Sequence, residues 1–139
     1  MEFIKHRLSG VIECIPTKFH DERGFFYESY NQTRFAANGI PEDFVQDNYS
    51  FSTKGVLRGL HFQRTRAQGK LVSVSCGAVY DVAVDIDPQS PTCGQFVGCE
   101  RAAKAIEPAE AAGFGWMRHL CPSSREQIVG LVNTTEDHG

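Results

Sequence analysis

From Phe44 to Glu100 the chain is a succession of short segments rich in β-branched and aromatic residues: FVQDNYSFS, VLRGLHFQ, LVSVSC, VYDVAVDI and TCGQFVGCE. Lys54-Gly55, Ala67-Gln68-Gly69, Gly77-Ala78 and Pro88-Gln89-Ser90-Pro91 separate them, supplying the glycines and prolines that turns use. Short strands at close spacing with no helix between them predict an antiparallel sandwich or barrel, all-β and jelly-roll-like. Upstream, Val11 to Pro16 reads as a strand, His20 to Gly24 as a turn and Phe25 to Tyr30 as a second strand. Asn31 or Thr33 is placed to cap one short N-terminal helix through Arg34-Phe35-Ala36-Ala37, ending at Asn38-Gly39. After Glu100 the character changes: RAAKAIEPAEAAGFGWMRHL is alanine-rich and interrupted by Pro108, and the β pattern is not continued.

Reactive side chains concentrate between Val56 and Lys70, where Arg58, His61, Gln63, Arg64, Arg66 and Lys70 are set among Val56, Leu57, Leu60 and Phe62. One imidazole among several cations is the composition of a site that removes a proton and stabilises the resulting anion. The net charge of −3 gives the chain no general attraction to nucleic acid or to an anionic membrane, so an anionic ligand must be held by this local cluster. No apolar run approaches the roughly 20 residues that span a bilayer, and MEFIKHRLSG lacks the apolar core of a signal peptide. A cytoplasmic protein without membrane or nucleic-acid partners is the expectation. The 139 residues, 41% hydrophobic, suit one compact domain. The five cysteines are odd in number and form no C-x-x-C pair, which argues for reduced packing residues rather than disulfides or zinc ligands.

Alternation in VYDVAVDI puts Val79, Asp81, Ala83 and Asp85 on one face and Tyr80, Val82, Val84 and Ile86 on the other. Acids sharing a face with small residues fit a polar pocket inside a barrel, and equally a solvated outer face. In VLRGLHFQ the same alternation sets Arg58 and His61 on opposite faces, unless Gly59 hosts a bulge that re-aims one of them. His61 by itself is as compatible with a hydrogen-bonded core or surface histidine as with a base. Metal binding is disfavoured, because the residue two after His61 is Gln63 rather than a second histidine.

The segments DERGFFYE, QDNYSFS, GVLRGLHFQ, QGKLVSVSCGAVYDVAVDI and SPTCGQFVG, in this order and spacing, resemble the dTDP-4-dehydrorhamnose 3,5-epimerases of dTDP-L-rhamnose biosynthesis. The resemblance runs from about Val11 to Gly98 and implies a cupin-type jelly-roll barrel without metal or other cofactor. It further implies a homodimer in which the segment around Arg23 and Glu28 reaches into the partner's site. His61 matches the general base, Lys70 the cation near the sugar's keto oxygen, and Asp81 an acid near the base. Arg23, Glu28, Gln46, Asn48 and Arg58 match residues that hold the nucleotide and its diphosphate, and Phe19 and Phe26 match aromatics lining the site. The implied substrate is dTDP-4-dehydro-6-deoxy-D-glucose, whose C4 ketone acidifies the C–H bonds at C3 and C5. A neutral imidazole is a suitable base for them, and guanidinium bonds diphosphate bidentately.

The resemblance fades after Glu100, so the expected organisation is an incomplete epimerase-like part, 1–100, and a divergent tail, 101–139. Gly113-Phe114-Gly115 matches the start of the family's G-F-x-H-G-F segment, but Trp116 stands where the histidine belongs and His119 is no substitute by position. All four tyrosines, Tyr27, Tyr30, Tyr49 and Tyr80, precede the break, so the family's acid tyrosine has no counterpart. A shifted reading frame leaves such a pattern, which makes a frameshifted gene product or non-catalytic remnant the alternative expectation. Translating the coding DNA in the other two frames beyond codon 100 is expected to yield an epimerase-like continuation; none in either frame counts against the frameshift.

Overall fold

The computed structural model describes residues 1–63, 65, 68–102, 114–122 and 129–134. Arg64 and Arg66 of the cation cluster and the alanine-rich 103–113 lie outside the described residues. The backbone divides into two compact units, Met1–Asp43 and Phe44–Gly139, where length and composition suggest a single domain.

In the first unit β1 (Glu2–Lys5) pairs antiparallel with β2 (Ile12–Ile15), a strand partner the sequence pattern had not marked. The expected turn at His20 to Gly24 tightens into a hairpin of β3 (Phe19–Asp21) and β4 (Gly24–Phe26) with only Glu22 and Arg23 between the paired ends. The strand expected over Phe25 to Tyr30 stops at Phe26. Beyond it Glu28 is tied to the helix start, accepting from Asn31 Nδ2 at 3.1 Å and pairing with Arg34 at 2.9 Å. The helix α1 (Gln32–Ala37) begins where expected, with Asn31 Oδ1 accepting the Arg34 N–H at 3.0 Å. It ends at Asn38, and Gly39 takes φ +95°, a backbone region that favours glycine. Phe35 is fully buried, with Phe3 edge-on at 5.1 Å and Tyr30 at 4.9 Å between ring centroids. Burial pushes the Tyr30 phenol above its ordinary pKa, and the charge of Asp43 adds to the effect.

The second unit holds β5 (Phe44–Thr53), β6 (Leu57–Arg58), β7 (Leu71–Cys76), β8 (Ala78–Asp85), β9 (Phe96–Ala102), β10 (Phe114–Pro122) and β11 (Val129–Thr134). They form a three-stranded sheet, β5-β10-β7, and a four-stranded sheet, β6-β11-β8-β9, with every described pairing antiparallel. Four of these strands, β5, β7, β8 and β9, fall where the turn spacing put them. Two differences matter. VLRGLHFQ contributes only Leu57 and Arg58 to a ladder, because Gly59 turns to φ +114° and ends the strand. The second is that the β pattern does continue past Glu100: β10 lies between β5 and β7, and β11 between β6 and β8. Neither strand shows a clear alternation of its own, and a strand in the middle of a sheet is fixed by its two neighbours more than by its own propensity.

Between β8 and β9 the turn is locked by Asp85. Its carboxylate accepts from the Ser90 hydroxyl, from Thr92 Oγ1 at 2.6 Å and from the Asp87 N–H at 3.0 Å. These donors, Ser90 foremost, hold its carboxyl below the usual carboxylate range. On the outer side of the same hairpin, a Cβ on Gly98 would come within 2.8 Å of Tyr80 Cζ. Gly98→Ala is therefore expected to destabilise the protein by about 1–3 kcal/mol through overpacking. Thermal unfolding checks this, and the loss should shrink when Tyr80→Ala is added; an unchanged Tm in Gly98→Ala contradicts it.

Candidate active site

Burial decides which face of β8 is inside. Val79 is 4% and Ala83 8% exposed, and Asp81 stands between them with the same strand parity, half-buried. Asp81 thus belongs to the inner face, and the solvated alternative is set aside. On β11, residue 133 is opposite both Asp81 and Arg58, so Arg58, Asn133 and Asp81 occupy one cross-strand row. Directly opposed residues share a face, which puts Arg58 on the inner side, roughly 10 Å from Asp81 at two strand spacings.

The Arg58 guanidinium identifies the facing surface. Its Nε donates to Ser52 Oγ at 2.8 Å and its Nη2 to the Phe51 carbonyl at 3.0 Å. Ser52 shares its side of β5 with Ser50, Asn48 and Gln46, and Gln46 Nε2 donates to Asn48 Oδ1 at 3.2 Å. The opposite side of β5 carries Val45, Tyr49 and Phe51, all exposed. Through β10 the inner rows extend to Val72 and Val74 on β7. Those two are half-buried, whereas Ser73 and Ser75 are exposed. Lys70, one residue before β7 and exposed, has the parity of Val72.

Gln46, Asn48, Arg58 and Asp81 are thus assigned to the inner sides of the two sheets, while Lys70 precedes the ladder of β7. His61 lies in the connection after Gly59, is exposed, and is not related to Arg58 by strand alternation, because the ladder has already ended. The conflict between the two residues came from assuming a strand where there is none. No bulge within a continuing strand is needed to resolve it.

The remaining candidates belong to the first unit. Phe19 and Phe26 are directly opposed on the β3–β4 hairpin and are 62% and 71% exposed. At its tip Arg23 pairs with Asp21 Oδ2 at 2.6 Å through Nη2 and donates its own N–H to Asp21 Oδ1 at 2.8 Å. Arg23 holds the Asp21 carboxyl below its usual range. The Glu28 carboxylate is engaged with Asn31 and Arg34. Among the described residues no group of three His, Cys, Asp or Glu stands close enough to hold a metal ion. No helix among them is long and apolar enough to cross a membrane.

An arginine, two amides and a carboxylate on one side of the sheets, the first three exposed and the carboxylate half-buried, are side chains suited to an anionic, hydrogen-bonding ligand. Residues 5–107 match the family model of dTDP-4-dehydrorhamnose 3,5-epimerase. The chain belongs to this family. Its sheets have the cupin-type jelly-roll architecture of the family's solved structures. It is 55% identical over 106 residues to the dTDP-4-dehydrorhamnose 3,5-epimerase of Salmonella typhimurium, covering 75% of this chain and 58% of that one. The dTDP-4-dehydrorhamnose 3-epimerase of Streptomyces niveus is 39% identical over 142 residues, covering 95% of this chain and 67% of that one. The crystal structure of a 3,5-epimerase from Legionella pneumophila, in complex with dTDP-4-keto-L-rhamnose, superposes with a TM-score of 0.68 at 39% identity. It covers 99% of this chain and 73% of that one.

The chain spans little more than half the length of several curated relatives, 52% to 58%. The family match ends at residue 107, and the same relatives cover 69% to 75% of this chain.

Since the Ser52 hydroxyl is one of two groups orienting the Arg58 guanidinium, Ser52→Ala should speed exchange of the Arg58 Nε–H with water. The expected change is about fivefold, for one hydrogen bond of about 1 kcal/mol. NMR of the arginine side chain reads it, and an unchanged exchange rate contradicts the assignment.

Proposed function

We propose that this chain catalyses proton exchange and inversion at the carbons flanking the C4 ketone of a dTDP-linked 4-keto-6-deoxy sugar, with dTDP-4-dehydro-6-deoxy-D-glucose as substrate. His61 takes the proton, Lys70 stabilises the enolate oxygen, and Asp81 tunes the basic end of the site. Arg58, Gln46 and Asn48 hold the diphosphate and nucleotide. Arg23 and Glu28, with the aromatic surface of Phe19 and Phe26, serve the site of a second copy in a homodimer. The setting is a bacterial cytoplasm and the product feeds cell-surface polysaccharide such as lipopolysaccharide O-antigen.

The observation that supports this reading is the shared inner side of Arg58, Asp81, Gln46 and Asn48 in a chain of this family. A ketone makes the neighbouring C–H bonds acidic, and the remaining barrier falls when a positioned base and a cation act together on proton and oxygen. The exposed aromatics opposed on the hairpin support a docking role, since bare apolar faces of this kind mark interaction surfaces.

Incubation with dTDP-4-keto-6-deoxyglucose in D2O tests the reading by NMR. Deuterium is expected to enter at C3 or C5, and His61→Asn should slow entry by about a thousandfold, the size of a lost general base. No exchange above the buffer rate, in a protein that dTDP nevertheless stabilises thermally, would favour a second reading, a non-catalytic remnant that binds dTDP-sugars or pairs with a full-length homologue. The end of the tyrosine complement at Tyr80 is what keeps that reading in view.

A further inference from the structure

Arg58 stands on β6 in the four-stranded sheet, and its side chain reaches β5, a strand of the other sheet. Nε donates to Ser52 Oγ at 2.8 Å and Nη2 to the Phe51 carbonyl at 3.0 Å. These donors share one edge of the planar guanidinium, and their acceptors come from adjacent residues of one strand. Held at two points of one edge, the group is fixed in plane as well as in position. The edge formed by Nη1 and the second N–H of Nη2 is then turned away from β5. Its parallel N–H groups are the fork that two phosphate oxygens accept.

The two acceptors differ in what supplies them. The Phe51 carbonyl is backbone and is present whatever side chain position 51 carries. The Ser52 hydroxyl exists only because residue 52 is a serine. On the same side of β5, Gln46 and Asn48 bond one another, whereas Ser52 bonds Arg58. Ser52 is half-buried and strand-borne, while Arg58 is exposed. An exposed arginine loses rotamer freedom when an anion fixes it, and a hydroxyl that already holds Nε removes part of that loss before the anion arrives.

We propose that Ser52 is a positioning residue for diphosphate recognition, an inference that rests on the function proposed above. By holding Nε it sets the guanidinium plane so that the Nη1–Nη2 edge meets the anion. In this role the hydroxyl bonds the arginine rather than the ligand. It acts on the phosphate part of a nucleotide and leaves the nucleoside part alone.

The test titrates dTDP and thymidine in turn into the full chain and its variants by calorimetry. Ser52→Ala should weaken dTDP binding about fivefold and leave thymidine binding within about twofold of the parent. Ser52→Thr restores a hydroxyl and should recover most of the loss. Beside Arg58→Lys, which removes the fork, Ser52→Ala should change dTDP binding by less than about twofold. Binding of dTDP to Ser52→Ala within about twofold of the parent overturns the proposal, as does an equal weakening of thymidine or a loss of about fivefold that persists beside Arg58→Lys. Should Ser52→Ala fail to fold, the Arg58 Nε–H resonance of the parent decides. It should keep its slow exchange with water when dTDP is bound, and an Nε–H released by the nucleotide overturns the proposal. A parent that binds dTDP no more tightly than thymidine removes the underlying function instead.

Discussion

The backbone of residues 114–122 satisfies two neighbours at once, β5 on one side and β7 on the other, and the rest of the second unit depends on that double pairing. Without it β5 and β7 each present an open row of N–H and C=O groups, and the inner side of their sheet is no longer one surface. The strand β11 does the same for the other sheet, joining the two-residue β6 to β8. Arg58 is on the same row as Asp81 only because residue 133 pairs with both. Two strands from a part of the chain that looks like a foreign appendage thus stand in the middle of both sheets.

Local partners divide the charged candidates into two kinds. In the first unit Arg23 is matched by Asp21 two residues away, and Glu28 by Arg34 and Asn31, so these charges fix the hairpin tip and the helix start. In the second unit Arg58 meets a hydroxyl and a carbonyl, neutral acceptors that orient the guanidinium without neutralising it. An arginine held in this way keeps its charge, and in the proposed function that charge meets the diphosphate.

Much of this was legible in the sequence. Turn residues at close spacing gave β5, β7 and β8 nearly to the residue, and Asn31 with Asn38-Gly39 gave both ends of the helix. Alternation grouped Val79, Asp81 and Ala83 correctly but left inside and outside undecided, because pattern carries no burial; Val79 and Ala83 supplied it. The reading failed where neighbours override local preference. Gly59 ended a strand that its flanking residues favour, and β10 and β11 arose from sequence with weak periodicity because two partner strands were waiting for each.

The central claim is that the facing sides of these two sheets, completed by the strands 114–122 and 129–134, bind an anion. A crystal structure of the chain grown with dTDP tests it most directly. The diphosphate should lie within hydrogen-bond distance of the Arg58 guanidinium, between the sides of the sheets that carry Asn48 and Asp81, with residue 119 still opposite Asn48. A nucleotide bound elsewhere, or β5 and β7 paired without β10 between them, would contradict the account.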